Sequence, residues 1–139
     1  MGRLCILAGM DLEPFVRVDR TPFSASREEV VKQWGMAART CRNDVGLNEL
    51  DYDSIVFRFQ DCGRLEEITL QAPVVHLGNL SVPFAALASF VRANDSSAFE
   101  RAGFLVSPKF GMAFDPNEPF WVTALAAHCL DAWRDLSGM

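Results

Sequence analysis

Between Ser54 and Leu70 the chain carries an alternating apolar pattern on either side of a break. Ile55, Phe57 and Phe59 fall on one parity with Arg58 on the other, and Leu65, Ile68 and Leu70 carry the apolar side on past Asp61-Cys62-Gly63. A period of two places one row of side chains on a core, and a glycine-bearing break between two such runs predicts a β-hairpin with strands at 54–60 and 64–70. A second hairpin is predicted from 104–106 and 110–114, around Ser107-Pro108-Lys109, and a short strand from the Pro73-Val74-Val75-His76-Leu77 run.

Three other stretches change period. Over 26–34, Ser26 and Glu29 have the spacing of a capping box, Val30, Val31 and Trp34 give an apolar side, and Gly35 is a natural stop. Over 83–94, Pro83 leads an apolar helix that Asn94-Asp95 closes. A third helix is predicted over 119–136, with Trp121, Leu125, His128, Ala132, Trp133 and Leu136 on one side and Trp133 buried; 96–103 reads as one or two further helical turns. The fold class expected is α+β: a largely antiparallel sheet built from two hairpins and packed against three main helices, in a single globular domain over 1–139.

Composition narrows the class. Half of the 139 residues are hydrophobic, with eleven Phe and three Trp, enough bulky material to close a core without disulfides or metal. The net charge is −5, spread as nine bases against twelve acids up to Leu70 and four against six beyond it. An acidic chain without a Lys/Arg run is a poor nucleic-acid binder and a better receptor for something basic. Cys5, Cys41, Cys62 and Cys129 show no C-x-x-C spacing, so they read as reduced core thiols. The apolar run from Leu4 to Met10 is at the short limit for a signal core, and that from 68 to 91 is broken by Pro73, Gly78 and Pro83; the expected location is cytoplasmic, with no membrane partner.

Candidate chemistry is sparse. Residues 43–53, NDVGLNELDYD, hold Asp44, Glu49, Asp51 and Asp53 with no base among them, and read as a loop. Counted from Asp51, a calcium loop would need a ligand at Ile55 and glycine at Val56, so that motif fails. A carboxylate pair for glycoside chemistry would need an apolar cleft to raise one pKa, which a polar loop does not announce. A solvated connector and a partner surface remain, the second favoured by Tyr52, a residue type enriched at interfaces. Asp115 and Glu118 read as the acidic first turn of the last helix and as a second element on the same rim. His76 and His128 occupy apolar patterns, where a hydrogen-bonded core histidine is the commoner role. No nucleophile elbow, phosphate loop, dinucleotide fingerprint or zinc signature occurs, so neither a cofactor nor a metal is expected.

The order from Thr21 to Leu70, a capped helix, Trp34-Gly35, a variable loop, then IVFRFQDCGRLEEITL, resembles a module common in small bacterial proteins, among them immunity proteins that neutralise polymorphic or type VI secreted toxins. That resemblance implies a toxin-neutralising protein that blocks a cognate effector, with the acidic residues Asp44, Glu49, Asp51, Tyr52, Asp53, Asp115 and Glu118 meeting a basic cleft. The alternative is a small enzyme or ligand-binding domain with its pocket near His76.

Overall fold

The computed structural model describes residues 9–44 and 46–135. In chain order the first half forms β1 (Met10–Glu13), β2 (Arg17–Val18), β3 (Thr21–Pro22), α1 (Arg27–Trp34), β4 (Arg39–Arg42), β5 (Asn48–Asp51), β6 (Ile55–Phe59) and β7 (Leu65–Gln71). The second half forms β8 (Val74–Leu77), β9 (Leu80–Pro83), α2 (Phe84–Asn94), β10 (Phe99–Arg101), β11 (Phe104–Ser107), β12 (Met112–Phe114), β13 (Trp121–Leu125) and α3 (Cys129–Asp135). The class is α+β, with two mostly antiparallel sheets. One has eight strands in the order β10-β11-β12-β13-β7-β6-β5-β4; the other has five, β3-β2-β1-β8-β9, with β1 and β8 parallel.

The expected hairpin is β6–β7, and it is the centre of the larger sheet. Ile55, Phe57, Phe59, Leu65, Ile68 and Leu70 point into the main core, where they meet Met10 and Leu12 of β1, Val75 of β8, Val30 of α1, and Phe84, Leu87 and Val91 of α2. The second hairpin is β11–β12. Helix α1 carries its capping box: Ser26 Oγ accepts from Glu29 N at 3.1 Å, and Glu29 Oε1 accepts from Ser26 N at 2.8 Å. Its far end is tied to the sheet by Tyr52, whose hydroxyl donates to Gly35 O at 2.8 Å and whose ring packs with Trp34 and Phe57.

Three expectations are overturned. The third helix does not begin at 119: Trp121–Leu125 is a strand held between β7 and β12, and among the described residues only Cys129–Asp135 of that span is helical. A strand followed by a short helix mimics one long amphipathic helix. Val122 and Ala124 face the main core while Thr123 and Leu125 face the other side, an alternation in a β-favouring Trp-Val-Thr run. Trp133 is consequently half-buried, not buried; Leu136 lies outside the described residues. The stretch 96–103 holds a strand, β10 (Phe99–Arg101), and not helical turns, because Ala102 (φ 55°) and Gly103 (φ 87°) make a two-residue turn with both φ positive, which returns the chain along β11. Finally, the sheet is larger than two hairpins: β4 and β5 extend it, so residues 48–51 are strand and not loop.

The thiols also differ from expectation. Cys129 is buried, but Cys41 and Cys62 are exposed, because β4 is a sheet edge and Cys62 sits in the hairpin turn; Cys5 lies outside the described residues. Among the described residues no helix is long and apolar enough to cross a membrane.

Candidate functional site

The face of the eight-stranded sheet turned away from the main core is polar across its middle. Arg58 of β6 stands between Glu49 of β5 and Glu67 of β7, its register partners on either side. Its Nε donates to Glu49 Oε2 at 2.7 Å, and its Nη1 donates to Thr69 Oγ1 at 2.6 Å and to Glu67 Oε1 at 3.4 Å. Thr69 Oγ1 lies 2.7 Å from Thr123 Oγ1 on β13. The ladder ends on the edge strand, where Cys41 Sγ donates to Glu49 Oε1 at 3.3 Å. Burial pushes the Glu49 carboxyl up, but the donors Arg58, Cys41 and Asn43 and the Arg58 charge outweigh it and hold the pKa below the ordinary value.

A β-bulge sets the number of carboxylates on this floor. Arg58 pairs with Glu67 while Phe59 pairs with Leu65, so Glu66 is the extra residue. The insertion lets Leu65 and Ile68 both reach the main core and turns Glu66 and Glu67, neighbours in sequence, to the same side. Glu66 is almost fully covered: Gln60 Nε2 donates to its Oε1 at 2.7 Å, Arg64 Nε lies 3.4 Å from its Oε2, and His128 Nε2 packs against that same oxygen. Glu67 Oε2 receives Trp133 Nε1 at 3.2 Å and Cys129 Sγ at 3.5 Å. Glu67 thus fastens helix α3 to the sheet, and Glu66 meets His128, the residue just before the helix. On the β11–β13 side α3 also covers a small second core of Val106, Ala113, Leu125 and Ala126. Burial, then the charges of Glu67 and Glu66, drive the Cys129 thiol far up, so it stays protonated and is no nucleophile.

Where α3 stops covering the sheet, a cleft of about 640 Å3 opens. Among the described residues its charged lining is Glu49, Glu66, Glu67, Asp115 and Glu118 against Arg58 alone, and its apolar walls include Leu47, Phe104, Trp121 and Trp133. Asp115 and Glu118 belong to the loop joining β12 to β13, not to the start of a helix. Asp115 Oδ1 accepts Asn117 N at 2.9 Å, and neither residue forms an ion pair among the described residues.

The sequence-derived candidates therefore divide. Glu49, Asp115 and Glu118, far apart in the chain, meet at one cleft. Asp51 and Asp53 lie elsewhere and are paired with Arg39, which approaches Asp51 Oδ2 to 3.2 Å and also contacts Asp53. Asp44 is exposed in the turn between β4 and β5, and Tyr52 serves as the clamp on α1. The 43–53 segment thus carries its compensation on the neighbouring strands, at Arg39 and Arg58. Arg58, Glu66, Glu67, Trp121 and Trp133 were not singled out as site residues. One signal for the pair was readable: Leu65-Glu66-Glu67-Ile68 puts two polar residues between two apolar ones, which breaks strand alternation as a bulge does. His76 lines neither this cleft nor a smaller one of about 300 Å3 beside Trp34 and Phe120. Its Nδ1 lies 2.9 Å from Ser81 Oγ, and its ring packs so closely on Gly9 that a Cβ there would lie 2.4 Å from Nε2. Among the described residues no group of three or more His, Cys, Asp or Glu is placed to hold a metal ion. Compared with family models, curated proteins and solved structures, the chain matches none.

Proposed function

We propose that this chain is an immunity protein, which neutralises a cognate secreted toxin by receiving a basic element of it in the acidic cleft. The observation that carries this reading is the imbalance of the lining among the described residues, five carboxylates against one guanidinium, with Asp115 and Glu118 in no ion pair there. Complementary charge raises association rate and selects partners, which suits an inhibitor that must find its target before damage is done. The resemblance of residues 21–70 to immunity modules supports the same reading, and the toxin acts in the cytoplasm, where this chain meets it. The test is co-expression with the toxin encoded beside this gene. The chain is expected to restore growth, and Asp115→Lys/Glu118→Lys to abolish protection at equal protein levels. Full protection by that variant would move the interface away from the cleft.

A second reading is favoured by one feature. A concave site of about 640 Å3 walled by aromatic rings falls in the range of small-molecule pockets. A metabolite retained through purification and seen by native mass spectrometry would make the chain a ligand-binding domain instead.

A further inference from the structure

We infer that the cleft is a receptor for a single arginine side chain of the partner, held between the Asp115/Glu118 carboxylates and the Trp121 and Trp133 rings. This rests on the reading above that the occupant belongs to a protein. The floor itself is not available to an anion. Arg58 is its one cation among the described residues, and it is already engaged by Glu49, Glu67 and Thr69. The carboxylates left over, Asp115 and Glu118, line the same cleft with no ion pair among the described residues, and a cation is what completes them. The walls then decide which cation. Trp133 has spent its indole N–H on Glu67 and is braced edge-on by Phe104 at a centroid distance of 5.5 Å, so what it offers an occupant is π surface. A guanidinium is planar, stacks on aromatic faces, pairs with carboxylates through a fork of donors, and is more weakly hydrated than an ammonium, so it leaves water for such a site at lower cost. Arginine and tryptophan are also the residues on which interface energies concentrate. A neutral or purely apolar occupant would leave Asp115 and Glu118 uncompensated beside it.

The probe is arginine amide, titrated into the purified full chain and followed by tryptophan fluorescence and by the indole N–H signals in NMR. Saturable binding is expected, at least about 10-fold tighter than for citrulline amide, which has the same shape without the charge, a gap of ~1.4 kcal/mol. Lysine amide should bind more weakly than arginine amide. Asp115→Asn/Glu118→Gln should weaken arginine amide by about 10-fold, and Trp121→Leu should weaken it without moving the melting temperature. Equal binding of citrulline amide, unchanged affinity in the carboxamide double variant, or no saturable binding would overturn the inference. The two readings fail separately. Arginine amide binding in a chain that protects no cell keeps the receptor and removes the toxin. Protection by a chain that binds no arginine amide removes the receptor and keeps the toxin.

Discussion

Two acidic segments meet at the cleft, and they hold their charge in opposite ways. In residues 43–53 the carboxylates lie on or beside strand β5. Cross-strand register sets Glu49 beside Arg58 and Asp51 beside Arg39, so charge that looks unbalanced along the chain is balanced across it. In the β12–β13 loop, Asp115 and Glu118 have no strand opposite them and no ion pair among the described residues. The difference teaches that a carboxylate's availability to a partner follows from its neighbours in the sheet and not from the local density of acids. Glu49 and Asp51 are held by bases across the sheet, and Asp115 and Glu118 are in no ion pair among the described residues.

That contrast can be attacked first at Arg58. Its side chain is 20% exposed and those of Glu49 and Glu67 are 17% and 14% exposed, so removing it strands two largely covered carboxylates. Arg58→Met should cost roughly 3 kcal/mol in urea denaturation; an unmoved midpoint would show that register does not hold these acids. A smaller effect is expected at Glu49, where Glu49→Gln removes the charge from the Arg58 pair and should cost about 2 kcal/mol at neutral pH. Because the folded-state pKa of Glu49 is depressed, its contribution is present above the ordinary value of 4.5 and is lost as pH falls through the lower folded value. The Gln variant should therefore lose less stability than the parent on acidification below about pH 4.5, and parallel curves would contradict the assignment. The smallest stability effect belongs to the loop. Asp115→Asn and Glu118→Gln should each shift stability by less than about 0.5 kcal/mol, while the on-rate for the proposed partner and its salt dependence both fall. A destabilisation as large as that of Glu49→Gln would place these acids in the structural class.

Parts of the fold were legible because their signals are local. The capping box of Ser26 and Glu29 and the alternation of Ile55, Phe57 and Phe59 each act within a few residues. Strands β4 and β5 were not, because Arg39–Arg42 is exposed throughout and only Leu50 of β5 is buried. An edge pair stabilised by cross-strand charges leaves no hydrophobic period to read. Strand β13 was misread for the opposite reason: its apolar residues run on into α3 and the joined pattern satisfies a helical period. The site was legible as residue types and illegible as a place. Glu49, Asp115 and Glu118 could be chosen for their charge, but that they share a cleft depends on β13 inserting beside β7, a pairing between segments some fifty residues apart, from Thr69 to Thr123.

The bulge at Glu66 separates the length of the chain from the arrangement of the sheet. On either side of it the core-facing parity is intact, from Leu65 directly to Ile68, so the residue is an addition that the hairpin absorbs without re-sorting its neighbours. An insertion of this kind gives descent a route that substitution does not. The cleft floor can gain or lose a whole acidic group, and His128 ahead of α3 its carboxylate contact, by a change of three nucleotides. The alternating frame that builds the core would stay unaltered.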